Sequence, residues 1–167
     1  MITFGFSQHD IKRTIITTDG EIDDVDTFIR FLMYTNEFDT EGIIYSSSMW
    51  HWKGDGKGTT MVSEMEMTRN IYGERSELRW PGTSWIQEVL AEYEKVHPNL
   101  LLHDKNYPTA KELLAMVKVG NIDFEGEMDN RTEGSAWIAQ KLLDEDPREI
   151  FLQAWGDTNT IARALKS

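Results

Sequence analysis

Five carboxylates fall within eight positions of the segment TTDGEIDDVDTF (17–28): Asp19, Glu21, Asp23, Asp24 and Asp26. One or two acids in the first turn of a helix are stabilised by its dipole, by ~0.3–1 kcal/mol each. Five such charges repel one another, and a bound cation relieves that repulsion. A solvated acidic cap on the helix is the simpler alternative. The chain has no cysteine, so thiolate ligands, thiolate nucleophiles and disulfides are excluded. All-carboxylate ligation suits a hard cation, calcium or magnesium. The calcium-binding helix-loop-helix pattern does not fit. Asp24 stands where that loop needs glycine, Arg30 stands where it needs a bidentate glutamate, and the cluster follows an apolar run of strand character.

The elements around the cluster read as alternating strands and helices. RTIITT (13–18) is β-branched and short, as a buried strand is. VDTFIRFLMYTNEF (25–38) carries Val25, Phe28, Ile29 and Leu32 at helical spacing. EGIIYSSS (41–48) reads as a second strand running into a serine loop, and MWHWKGDGKG (49–58) as a surface loop. Helices are predicted over 59–73, over 83–99 with Thr83 or Ser84 as cap and a stop before Pro98, over 107–117, over 132–147 with Thr132 as cap, and over 157–167. EIFLQAW (149–155) is a third strand. This order predicts an α/β fold with a mostly parallel sheet flanked by helices. Ligands of such sheets bind beyond the carboxyl ends of the strands. Loop 19–24, the serine loop 46–48 and AWGDTN (154–159) each leave a strand at that end, so the reading places Asp19, the serines and Trp155 along one edge.

The net charge is -12, from 17 basic and 29 acidic residues, which disfavours nucleic acid polymers and anionic membrane surfaces as partners. A hydrophobic share of 40% is enough for a packed core, and no apolar run nears the ~20 residues of a spanning helix. A soluble chain is expected; a leader preceding it would make it secreted or periplasmic. Self-association stays open.

TTDGEIDDV (17–25) resembles the N-terminal fingerprint of the nucleoside hydrolases, and QAWGDTNTIARAL (153–165) resembles a later segment of the same family. The stretch from Thr17 to Gly54, together with 153–165, looks more closely like a bacterial nucleoside-hydrolase-like domain family, some of whose members are described as cellulose-binding. The resemblance implies that Asp19 binds calcium and acts as general base on a water, that Asp24 is a bidentate calcium ligand, that Asp23 contacts sugar hydroxyls, and that the Trp155 carbonyl completes part of the shell. It implies a small nucleoside or saccharide as ligand. The pattern also departs from the family. Thr17 replaces its first aspartate, Gly20-Glu21 replaces a Pro-Gly pair, and Ser48 or Met49 stands where an asparagine touches the sugar. Nucleoside hydrolases are longer, and their last calcium aspartate and catalytic histidine have no match here. The chain is therefore expected to be the N-terminal part of one such domain, with one exposed sheet edge, and inactive by itself. Two functions follow as expectations: calcium-dependent hydrolysis of a nucleoside or related glycosidic bond, or carbohydrate binding without catalysis.

The remaining candidates have plainer readings. Ser48, Trp50 and His51 stand as substrate-binding residues; Trp50 and Trp52, flanking His51 in a glycine-rich loop, either stack on a sugar or pack the loop down. KGDGKG (53–58) lacks the ending of a phosphate-binding loop and reads as a flexible turn. MVSEMEM (61–67) reads as a packing face, His97 and His103 as surface residues, His9 as part of an N-terminal tail, and Trp80, Trp85 and Trp137 as core or rim aromatics. No Asp-His-Ser triad can be assigned.

Overall fold

Strand β1 (Lys12–Thr18) is the centre of the architecture, and in the computed structural model, which describes residues 11–166, it pairs in parallel on both sides. Its neighbours are β2 (Phe38–Tyr45) and β6 (Ile150–Ala154), and β5 (Val117–Val119) extends the sheet beyond β2, giving the order β5-β2-β1-β6. All three pairings are parallel, as predicted. His9 lies outside the described residues.

Alternation along the strands explains the two layers of helices. Consecutive side chains point to opposite faces, so Ile16, Ile43 and Tyr45 pack with Phe28, Phe31, Trp85, Ile86, Leu90 and Leu113 on one face. Ile15 and Ile44 pack with Ile138, Ala139 and Ala164 on the other. The first face is covered by α1 (Ile22–Leu32), α3 (Trp85–Leu100) and α4 (Ala110–Ala115), the second by α5 (Glu133–Leu142) and α6 (Asn159–Leu165). At the amino end of the sheet, Arg13 is 2% exposed; its guanidinium meets Glu41 at 2.7 and 2.8 Å, pairs with Asp144, and donates to the main-chain oxygens of Lys141, Asp146 and Arg148.

Several boundaries differ from the sequence reading. Helix α1 starts at Ile22, not Val25, which moves Asp23 and Asp24 from the loop into its first turn. It stops at Leu32, where Thr35 Oγ1 donates to the Leu32 carbonyl and the turn 33–36 releases the chain into β2 three residues early. Strand β2 ends at Tyr45, and the serines that follow are loop. The predicted helix 59–73 holds only α2 (Glu66–Tyr72); β3 (Met61–Val62) and β4 (Glu74–Arg75) pair antiparallel around it. Met65 and Met67 are exposed rather than packed, because Thr68 is the one buried residue of α2. Helix α3 runs through Pro98 to Leu100, although the proline lacks the N–H that would bond the carbonyl four residues earlier. The predicted helix 107–117 is shortened at both ends. A capping box between Thr109 and Glu112 starts α4 late, and its tail becomes the edge strand β5. Among the described residues, no helix is long and apolar enough to cross a membrane.

Candidate functional site

The carboxyl ends of β1, β2 and β6 open onto one group of loops, and hydrogen bonds between them hold it together. Ser46 N donates to Thr18 O at 2.8 Å, Trp155 N to Thr17 O at 2.9 Å, and Asp157 N to Ser47 O at 2.8 Å. Gly156 lets the third loop lie against the first: a Cβ there would come within 3.1 Å of Asp19 Cβ and 3.0 Å of Ser47 O. Asp19, residues 46–48 and Trp155 therefore share one edge, as the sequence reading required. Trp155 itself packs edge-on against Phe31, ring centroids 5.8 Å apart, so α1 and β6 are tied beneath the site.

Asp19 and Asp24 form the floor. Both are buried, at 2% and 4% exposure. Asp24 Oδ2 accepts from Thr18 Oγ1 at 2.7 Å, Asp19 N at 3.0 Å and Gly20 N at 3.3 Å. The first turn of α1 thus folds back onto the end of β1, and the turn at Gly20, φ +78°, makes that possible beside the Trp85 ring. Burial and the neighbouring Asp19 carboxylate push Asp24 up to about 7. Burial acts on Asp19 in the same direction. It is outweighed by His51, Asp24, the Ser48 hydroxyl and the Glu21 amide, which hold Asp19 below the usual carboxylate range. The two shifts run in opposite directions, as they do when two acids interact in a buried place where ionising both is costly. Among the described residues no lysine or arginine pairs with Asp19, Glu21 or Asp24.

The aromatic loop is more firmly placed than its glycines suggested. Trp52 is fully buried and exchanges main-chain hydrogen bonds with Leu78. Lys53 N and Gly54 N donate to Ile122 O and Asp123 O. His51 is 4% exposed, its amide held by Ser48 Oγ at 3.2 Å. Trp50 is half-buried, edge-on to Tyr72. Of the expected substrate-binding residues, then, Trp50 keeps accessible surface and Asp23 is exposed on the first turn of α1, while Ser48 and His51 lie inside. Trp85 belongs to the core, and Trp80 and Trp137 pack at its margins.

Two further groups had no site role in the sequence reading, although Glu21 was counted in the acidic cluster. Glu21 precedes α1, with Oε2 4.0 Å from His51 Nδ1. Asn159 is buried, and its Nδ2 donates to Ser47 Oγ, Asn121 O and Glu127 O at 2.9–3.0 Å, joining three loops. The only signal for Asn159 was its place within GDTNT, after a strand.

Comparison with known proteins adds the family. A family profile described as "Cellulose-binding Sde182, nucleoside hydrolase-like domain" matches residues 13–167. The chain belongs to this family. A solved structure, described as a nucleoside hydrolase-related hypothetical protein from Saccharophagus degradans that is associated with carbohydrate metabolism, is similar at 25% identity and a TM-score of 0.72. The match covers 93% of this chain and 33% of that one, so the chain spans a third of that relative's length. No curated protein matches. The nucleoside-hydrolase-like fold expected from TTDGEIDDV is thus found, and the acidic motif lies inside the matched region.

Asp19, Glu21 and His51, each with a ligand atom within 4.8 Å of the others, form a donor set that fits a divalent cation, and the buried Asp24 carboxylate lies behind it, accepting from the Asp19 amide.

Proposed function

We propose that Asp19 and Asp24 hold a divalent cation, with the Trp155 carbonyl contributing to its shell, and that the centre serves hydrolysis of a glycosidic bond in a nucleoside or related sugar conjugate. The observation that carries this reading is a pair of interacting buried carboxylates, with no lysine or arginine partner among the described residues, at the carboxyl end of the central strand. A calcium or similar ion held there supplies Lewis acidity that makes a neighbouring water easier to deprotonate. Asp19 is the proton acceptor in this reading, because its carboxylate ends β1 where the three loops meet. The acids around it favour the positive charge that develops on an anomeric carbon as its bond to the leaving group breaks. In this reading Asp23, exposed on the first turn of α1, accepts hydrogen bonds from sugar hydroxyls, and Ser48 favours the ionised form of Asp19.

A second reading, saccharide binding without turnover, is favoured by the accessible Trp50 ring beside Tyr72 and by the family description. One experiment on the protein in its full natural form separates the two: saccharide binding, together with release of nucleobase from nucleosides and of reducing sugar from cello-oligosaccharides, with calcium, with manganese and with chelator. Turnover that chelation removes and a divalent ion restores is the expected result. Saccharide binding without turnover in any arm selects the second reading, and neither binding nor turnover rules out both.

A further inference from the structure

His51 has no role in the reading above that its burial allows. A ring with 4% exposure cannot stack on a sugar face. It is instead fixed from both sides: Ser48 N donates to His51 O at 2.9 Å, Ser48 Oγ accepts from His51 N at 3.2 Å, and the next residue, Trp52, is locked to Leu78. Its Nδ1 lies at ion-pair distance from Asp19 Oδ2, 3.3 Å, and 4.0 Å from Glu21 Oε2, with no well-formed hydrogen bond to either. One ligand atom from each of Asp19, Glu21 and His51 falls within 4.8 Å of the others. A buried nitrogen at these distances from two carboxylates, with no well-formed hydrogen bond, has the spacing of donors that share one ion.

Distance and donor type then point to the kind of ion. With metal–ligand bonds of about 2.1 Å, donors 3.3 and 4.0 Å apart subtend angles of roughly 100° and 145° at the ion, so both pairs are close enough to share one ion in an irregular shell. Calcium takes oxygen ligands, whereas imidazole suits first-row transition ions and zinc. We propose that His51 Nδ1, with Asp19 and Glu21, ligates the cation, so that the centre is a mixed nitrogen–oxygen site preferring manganese, cobalt or zinc over calcium. The proposal rests on the reading of Asp19 as a cation ligand and adds two residues and a metal class to it. Glu21 occupies the place where the resemblance expected glycine, so the extra acid of this loop acquires a purpose.

The test is calorimetric titration of the metal-free protein with Mn²⁺, Zn²⁺ and Ca²⁺, together with pulsed EPR of the Mn²⁺-loaded protein to detect a coordinated imidazole nitrogen. Wild type should bind Mn²⁺ and Zn²⁺ more tightly than Ca²⁺ and show the nitrogen signal. His51→Gln should lose the signal and at least ~100-fold in Zn²⁺ affinity, more than loss of an outer-shell partner usually removes. Glu21→Gln, at a half-buried position where folding is little at stake, should weaken Zn²⁺ binding while keeping the signal. Ions bound without a nitrogen signal, or equal affinities in wild type and His51→Gln, overturn the assignment of His51 and leave Asp19 and Asp24 as ligands. Binding of none of the three ions by wild type overturns that underlying reading as well.

Discussion

Asp19→Asn is expected to lower turnover of a susceptible nucleoside or glycoside by about 10²–10⁴-fold, the usual effect of removing a general base. Asparagine keeps the size of the side chain and an oxygen that can accept from the Glu21 amide, now 3.1 Å from Asp19 Oδ1. It removes the negative charge and the ability to take a proton. Steady-state rates of the protein in its full natural form, with the divalent ion saturating, measure the effect; circular dichroism checks that the fold is kept. The loss should fall on kcat, with KM nearly unchanged, because the charge matters most when the anomeric carbon is most positive. Full activity in the asparagine variant would remove Asp19 from the chemistry.

The largest expected effect on stability lies at the opposite end of the sheet. Arg13→Ala should destabilise the protein by about 3–5 kcal/mol, since breaking a buried ion pair strands the remaining charge. Glu41, 7% exposed, would keep only Lys141, whose Nζ is 3.4 Å away. The same change also unpairs the main-chain oxygens of Lys141, Asp146 and Arg148, which close the connection from α5 to β6. The double variant Arg13→Met/Glu41→Leu should recover most of the loss, because neither charge is then buried alone. Urea unfolding of the three proteins measures this, and a loss below about 1 kcal/mol for Arg13→Ala, the range of an exposed pair, would show that Arg13 does not clamp this end of the sheet.

The sequence was most legible where one signal had one cause. RTIITT is a central strand because its β-branched residues are buried on both faces, and the acids after it sit at a strand end because parallel sheets put polar loops there. Edge strand β5 was missed because three residues of VKV carry no period and continue a helical stretch. The start of α1 was placed late because the apolar stripe begins at Val25, whereas its first turn is formed by Ile22, Asp23 and Asp24, and Ile22 is 81% exposed. The site was legible in Asp19, Asp24 and Trp155 as places, through the acidic motif and the loop order. The burial of His51 was not legible: it depends on the Trp52 pairing with Leu78, a contact between residues far apart in sequence within a segment that shows no regular pattern. Asn159 was hidden for the same reason, since the carbonyls it joins belong to loops that meet only in the fold.

The central claim is that two buried carboxylates are held together for a cation, and thermal unfolding of wild type and Asp24→Asn, each with chelator and with excess divalent ion, tests it most directly. In this variant the new amide oxygen can accept from Thr18 Oγ1 and Asp19 N, and the amide NH₂ can donate toward Asp19 at any pH, whereas the Asp24 carboxyl repels Asp19 once it ionises above about 7. In buffer above that pH the metal-free variant should therefore melt a few degrees above the metal-free wild type. Ion at about 100 times its Kd stabilises a folded protein by about 2.7 kcal/mol, or roughly 5–10 °C at this chain length, and wild type should show that rise while Asp24→Asn shows none. A wild type whose melting temperature ignores calcium, manganese and zinc alike, together with a variant less stable than wild type in chelator, would mean that the Asp19–Asp24 contact serves the fold and not a cation.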